Sequence, residues 1–156
     1  MKDGKSIYKK LRKKYGLPKL EELVREFAVK IEDPDLVFHE IVDKIKDRMH
    51  ECAKILESII FVTTTSDPSS MYETKMLEEK KNEAFEIFKR LMSIAWKGVK
   101  VEASGDDKEM ASFIKQTYKD WNKSLKNKFI DLCESLEKQW KDASLRESPK
   151  EMMYLG

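Results

Sequence analysis

The chain has 156 residues, of which 40% are hydrophobic and 38% are charged, and its formal net charge is +2. A chain of this length can bury a core without disulfides or a structural metal, and its apolar content is too high for a disordered protein. We therefore expect a single folded domain over residues 1–156. Only five Gly and four Pro occur, too few for the frequent turns of a sheet protein, so the composition predicts an all-α fold.

Composition also bears on the compartment. No apolar segment follows the cationic start of the chain, and no apolar run approaches the length of about 18 residues that suggests a membrane span, so we expect a cytoplasmic protein with no membrane span. Lys and Glu are abundant while Gln and Asn are rare, a composition typical of proteins from hot environments. Cys52 and Cys133 lack a Cys or His at metal-ligand spacing, so we expect two small buried thiols.

The first predicted elements are two short helices. Ile7, Tyr8, Leu11 and Tyr15 form a narrow apolar strip at helical spacing, which predicts a basic helix over about 6–15 with Ser6 as a cap and Gly16 at its end. A second helix is predicted from the first turn around residue 18 to about residue 31. Together the two helices should form an N-terminal hairpin or elbow.

Three long helices follow in the sequence. The start signal EDPDLVF predicts the first over about 34–62, and the loop TTTSDPSS separates it from the second, over about 70–101, where Ser70 and Glu73 match a capping box. The break ASGDDKE precedes the third helix, which should reach about residue 143. Short connections make consecutive helices antiparallel. The predicted fold is an antiparallel bundle of three long helices with one or two short N-terminal helices packed on it.

Two details of the long helices lead to further expectations. The apolar line of the second one is interrupted by Lys80 and Lys81, which predicts a thin or frayed first half. The third would span on the order of 50 Å, longer than its partners need, so we expect part of it to overhang or bend. The C-terminal tail, about 144–156, should be mobile unless its apolar run MMYL docks on an apolar surface. The apolar line of the second long helix, which Lys80 and Lys81 interrupt, consists of Leu77, Ala84, Phe88, Leu91, Ala95 and Val99.

One face of the first long helix carries candidate metal ligands. Asp47-x-x-His50 is half of the ligand pattern found in di-iron helical bundles. The same helix carries a predicted apolar stripe at helical spacing, formed by Phe38, Ile41, Val42, Ile45, Met49, Cys52, Leu56, Ile59 and Ile60. On a helical wheel the acidic face centres opposite this stripe, so we expect its side chains to point to water and to hold no metal. No nucleophile with a base partner and no Gly-rich phosphate loop is present. We therefore expect no cofactor and no small-molecule substrate, and a metal-dependent enzyme with a carboxylate site is only the third hypothesis. The acidic face comprises Glu40, Asp43, Asp47, His50 and Glu51.

Charge is distributed unevenly along the chain. Residues 1–20 have a net charge of +7, whereas the remainder has a net charge of −5. Such a cluster can neutralise phosphates of RNA or DNA with little sequence preference. Alternatively, the apolar strip docks the helix on the bundle, or the helix lies on a membrane surface, for which the strip is small. The candidate nucleic-acid contacts are Lys5, Lys9, Lys10, Arg12, Lys13 and Lys14.

Aromatic and methionine side chains offer a second kind of candidate site. Trp121 lies on the apolar line of its helix and is most simply core, whereas Trp96 and Trp140 lie towards the edges of theirs. These two and the tail residues Met152, Met153 and Tyr154 are the candidate interface. We therefore expect a small non-catalytic protein that acts in protein–protein interaction or regulation, with self-association or a partner surface near the third helix and the tail. A nucleic-acid-associated protein is the alternative.

Overall fold

The computed structural model describes residues 3–61, 67–76 and 78–142. Within these ranges the chain is almost entirely helical and contains no strand, which confirms the all-α prediction. Short 3₁₀ turns precede α3 and α5, and a π-helical turn, Trp121–Leu125, joins the last two helices. The helices are α1 (Gly4–Tyr15), α2 (Leu20–Phe27), α3 (Val37–Ile60), α4 (Pro68–Met76), α5 (Lys81–Ser104), α6 (Asp107–Asp120) and α7 (Lys126–Lys141).

The long helices pack side by side with alternating direction. Lys46 near the start of α3 bonds to Glu102 near the end of α5, with 3.0 Å between Nζ and Oε2, while Phe61 just after α3 packs against Phe85 near the start of α5. The two helices are therefore antiparallel. Arg90 of α5 in turn donates a hydrogen bond to Ser124 in the π-helical turn. The predicted antiparallel bundle, with α1 and α2 packed on it, is confirmed.

The apolar stripe of α3 forms the centre of the core. Eight of the nine side chains predicted for it are buried, and only Ile60, at its end, is partly exposed. Gly98 of α5 allows close packing here, since a Cβ at this position would stand 3.1 Å from the Phe113 ring of α6. Burial of a continuous stripe at helical spacing is what binds α3 to both α5 and α6. The buried residues predicted correctly are Phe38, Ile41, Val42, Ile45, Met49, Cys52, Leu56 and Ile59.

The positions of several helix ends were predicted correctly, but two of the predicted capping residues were not. Gly16 ends α1 in the left-handed region with φ 67°, as predicted. Ser6 and Ser70 are not the caps: their N–H groups donate to Asp3 and Asp67, the acidic residues three positions earlier. A carboxylate is the stronger acceptor for these free N–H groups and is favoured by the helix dipole. Helix α2 ends at Phe27 instead of about residue 31, because Ala28 takes a left-handed conformation.

The second long helix differs from the prediction. It is divided into α4 and α5 by a 3₁₀ turn over Glu78–Lys80, at the predicted interruption, while Leu77 lies outside the described residues. On α5, Ala84, Leu91 and Ala95 are buried, Phe88 is only partly buried, and Val99 is 41% exposed. A line followed in steps of four residues turns by about 40° per step and leaves the core face. Ile87, Gly98 and Val101 complete the buried face instead.

The third long helix runs through α6 and α7, with the π-helical turn at its middle. Trp121 and Leu125 of this turn are both buried, and Trp121 donates from Nε1 to Oε2 of Glu26 at 3.1 Å. Lys126 approaches Oε1 of the same carboxylate at 2.7 Å. Burial by itself would raise the pKa of Glu26, but the hydrogen bonds from Lys126 and Trp121 outweigh it and hold the pKa below the ordinary value. This network fastens α2 to the π-helical turn.

None of the helices in the described ranges combines the length and the apolar character that crossing a bilayer requires.

Candidate functional site

Helix α1 is docked on the bundle through its apolar strip. Tyr8 is only 2% exposed and its hydroxyl donates to the backbone carbonyl of Pro18. The Tyr15 ring meets Phe38 of α3 edge-on, with 5.6 Å between centroids, and Ile7 and Leu11 pack against the same core. The apolar strip of α1 thus packs against the bundle. Neither Tyr8 nor Tyr15 presents a free ring face on which a nucleic-acid base could stack, as a tyrosine of an extended arm would.

The cations of α1 all face solvent. Leaving Lys10 aside, none of them belongs to an ion pair within the described part of the chain, and the Lys14 ammonium lies over the neighbouring Tyr15 ring at 5.2 Å. Arg12, Lys13 and Lys14 occupy the last turn, where positive charge complements the helix dipole. Helix α1 therefore docks on the bundle and still exposes its cations to solvent. We call the exposed residues Lys5, Lys9, Lys10, Arg12, Lys13 and Lys14 the α1 basic surface.

One further cation joins this surface through the fold. Lys115 of α6 brings its Nζ to 3.6 Å from the position that a Cβ at Gly16 would take, at the C-terminal end of α1. The sequence contains no signal for this approach, because Lys115 lies in a different helix and has no unusual neighbours. The α1 basic surface therefore continues onto α6.

Helix α5 carries a second apolar face that the bundle does not cover. Trp96 is 66% exposed and Val99 41%, and Phe85 is 37% exposed near the start of the helix. Phe88 and Met92 are partly exposed between them. Spacings of three and four residues place all five on one line of the helix, beside the line that contacts α3. Of the predicted interface residues, Trp96 lies on this face and is its most exposed member.

Phe61, just after the end of α3, adds a fourth aromatic ring to the apolar face. Phe61, 50% exposed, lies with its centroid 6.1 Å from that of Phe85 and 5.4 Å from that of Phe88. Lys89 places its ammonium over the outer side of the Phe85 ring at 5.6 Å. Rings in mutual contact and open to solvent form a continuous patch, unlike isolated exposed residues, which need no explanation. We call Phe61, Phe85, Phe88, Met92, Trp96 and Val99 the α5 apolar surface.

The other predicted interface residues lie elsewhere. Trp140, near the end of α7, packs its ring against Tyr72 of α4 with 4.6 Å between centroids, and Tyr72 is buried. Trp140 is still 39% exposed, but its main role is to join α7 to α4. Met152, Met153 and Tyr154, together with the rest of the predicted mobile tail, lie outside the described residues.

Of the five residues on the acidic face of α3, Asp47, His50 and Glu51 are exposed, and the other two take part in local structure. Glu40 accepts the backbone N–H groups of Glu32 and Asp33 at 2.9 and 3.1 Å, and so fastens the segment that leads into α3. Asp43 pairs with Lys46 at 3.1 Å. Among the described residues no group of three or more His, Cys, Asp or Glu side chains is placed to hold a metal ion.

The thiols and one cleft were the remaining candidates for chemistry. Cys52 is buried, and burial raises its pKa to about 11, so it is a poor nucleophile at neutral pH. Cys133 is exposed, contrary to the expectation of two buried thiols, because it lies on the outer side of α7, whose buried line passes through Leu132. A cleft at Ile59, Thr74 and Ala84 leaves room for about one water molecule, too little for a substrate.

Comparison with family models, with curated proteins and with solved structures gives no match to this chain.

Proposed function

We propose that this chain is a small cytoplasmic, non-catalytic protein that acts by protein–protein interaction, and that the α5 apolar surface is its binding face. The partner is expected to present an apolar helix, because a straight line of side chains at helical spacing matches the side chains of another helix. The observation that carries the proposal is the exposure of Trp96, 66%, within a line of partly exposed apolar side chains.

Physical reasons favour a binding role for this surface. A Trp ring exposed to water lacks the stabilisation that burial of its large apolar surface would provide. Trp is also among the side chains that most often dominate the binding energy of protein interfaces. The patch has charged neighbours, with Lys89 and Glu86 paired at 3.0 Å along its edge. An apolar centre with a polar rim is the ordinary arrangement of a protein interface.

The test is photo-crosslinking in the cells that make the protein. A photoreactive phenylalanine analogue replaces Trp96 in one variant and the exposed Lys128 of α7 in the control variant. We expect a defined protein, whether another chain or this one, to crosslink from position 96 and not from position 128. The purified pair should then bind with the native chain and lose affinity about tenfold or more with Trp96→Lys.

Two outcomes would overturn the proposal. Crosslinks from position 96 that do not exceed those from position 128 would show that the surface has no partner. A purified pair whose affinity is unchanged by Trp96→Lys would show that the contact is incidental.

A second candidate function is contact with nucleic-acid phosphates through the α1 basic surface. The observation that favours it is that these cations are exposed and, apart from Lys10, belong to no ion pair among the described residues. Phosphate binding by Lys5, Lys9, Arg12, Lys13 and Lys14 would therefore break no ion pair there. Lys outnumbers Arg, which suits backbone contact more than base recognition.

This candidate is tested by salt-dependent binding of a short labelled RNA and of a DNA duplex of the same sequence. The double variant Lys9→Gln/Lys13→Gln should weaken binding and reduce the slope of log Kd against log salt by about 0.9 for each phosphate contact removed. The matched control is Lys54→Gln/Lys128→Gln, which removes two exposed cations from α3 and α7. Equal loss in both double variants, or no salt-sensitive binding by the native chain, would rule the candidate out.

A further inference from the structure

The line of side chains on α5 has a symmetric spacing. Phe85, Phe88, Met92, Trp96 and Val99 follow one another in steps of three, four, four and three residues. The spacing therefore reads the same from either end, with Met92 at its middle. If a second α5 is laid antiparallel on the first, Met92 meets Met92 of the second copy, Phe88 meets Trp96 and Phe85 meets Val99.

The sizes of these pairs suit such a contact. Phe88 is partly buried while Trp96 is 66% exposed, so the prominent Trp ring of one copy lies over the recessed Phe of the other. Phe85, a large ring, meets the smaller Val99 at each end. Alternation of large and small, and of prominent and recessed, side chains allows two helices to interdigitate.

Charges at the edge of the line fit the same arrangement. Glu86 lies in the N-terminal half of α5, and Lys97 and Lys100 lie in the C-terminal half, all of them exposed. Antiparallel packing about Met92 brings Glu86 of one copy level with Lys97 of the other, within about one residue of register, although within one chain Glu86 is paired with Lys89 at 3.0 Å. It also opposes the two helix dipoles, whereas parallel packing would align them. The charges therefore select direction more than they supply affinity.

We propose that the partner of the α5 apolar surface is a second copy of this chain, packed antiparallel through α5 about a two-fold axis near Met92. This inference rests on the proposed function and names its partner. Two-fold dimers are the commonest assembly of soluble proteins, and their contact uses the same patch on both chains, so a self-complementary line meets the requirement.

The first test is the mass of the purified full chain in solution as a function of concentration, by light scattering on a sizing column. The native chain should form a dimer, and Trp96→Lys should raise the dimer Kd about tenfold or more, because a buried ammonium replaces the largest contact. Lys128→Glu, on the exposed side of α7, is the matched control and should remain dimeric. A native chain that is monomeric at all concentrations would overturn the inference.

Cysteine crosslinking tests the direction. In a Cys133→Ser background, Met92→Cys alone should give a disulfide-linked dimer under mild oxidation. Phe85→Cys and Val99→Cys should crosslink when the two variants are mixed and not when either is oxidised alone. Crosslinking of Phe85→Cys to itself would show a parallel pair and overturn the proposed packing.

The main competing hypothesis is that the C-terminal tail of the same chain covers the α5 apolar surface. A shortened chain that ends at residue 142 tests it. If the native chain is monomeric and this shorter chain dimerises, the C-terminal tail covers the surface and the inference is wrong for the full chain. Failure here is distinguishable from failure of the proposed function, because crosslinking from position 96 to a different protein would keep the interaction role and remove only the second copy.

Discussion

Helices α1 and α5 use their apolar residues in opposite ways. The strip of α1 is narrow and its Tyr8 ring is 2% exposed, so docking leaves mostly charged side chains exposed on this helix. Helix α5 has two apolar lines, of which one contacts α3 and the other includes Trp96, 66% exposed. All apolar residues of the α1 strip pack on the bundle, whereas α5 has more apolar residues than its packing in the bundle buries. Surplus apolar surface is therefore the stronger indication of a partner, since the fold alone gives no reason for it.

The largest expected effect tests the first half of this comparison, that α1 belongs to the cooperative fold. Tyr8→Ala should lower the free energy of unfolding by about 3 kcal/mol, because it removes a buried ring and leaves a cavity. Tyr8→Phe should cost only about 1 kcal/mol, the hydroxyl's hydrogen bond to Pro18. Urea unfolding monitored by circular dichroism measures both. A Tyr8→Ala variant within about 0.5 kcal/mol of the native chain would mean that α1 is an appended arm.

A second prediction concerns what holds the N-terminal helices on the bundle. Glu26 accepts from Trp121 and Lys126 and is 8% exposed. Glu26→Gln should lower the free energy of unfolding by about 2 kcal/mol at neutral pH, the usual value for a hydrogen bond to a charged group. Exposed Glu32, which pairs with Lys30 at 3.2 Å, provides the control Glu32→Gln, for which little change is expected.

The pH dependence of this effect has a definite sign. The pKa of Glu26 is lower in the folded chain than its ordinary value of 4.5. Its stabilisation is therefore fully present above pH 4.5 and is lost as the pH falls through the lower pKa of the folded state. The difference between the native chain and Glu26→Gln should narrow in acid. A difference that is the same at neutral pH and in acid would show that the carboxylate charge contributes nothing.

Local sequence patterns predicted most of the helices, but they could not predict contacts between residues that are far apart in the sequence. The stripe of α3, the break at Gly105 and the end of α1 at Gly16 follow from periodicity and backbone preference, which neighbours in sequence decide. The Glu26 network joins residues that are 95 and 100 positions apart. Nothing beside Glu26 in the sequence distinguishes it from the other acidic residues of the chain.

The candidate sites show the same division. The sequence indicates the cations of α1 because they cluster within residues 5–14, and Trp96 because it lies towards the edge of an apolar line. Phe85 and Met92 were missed, since a single line through α5 was followed and drifted from the core face to the exposed one at Val99. Two apolar lines on one helix can be recognised by counting both sets of spacings. Which of the two faces the core depends on the position of α3.

The smallest expected effect tests the second half of the comparison, that the outer line of α5 contributes nothing to the fold. In the monomer, at concentrations below the dimer Kd, Trp96→Ser should change the free energy of unfolding by no more than about 0.5 kcal/mol, because the side chain is 66% exposed. Leu91→Ala, on the core line one turn away, should cost about 3 kcal/mol, since Leu91 is fully buried. Urea unfolding at low and high protein concentration separates the two contributions. If Trp96→Ser is costly at low concentration as well, the outer line stabilises the monomer itself, and its exposure would no longer indicate a partner.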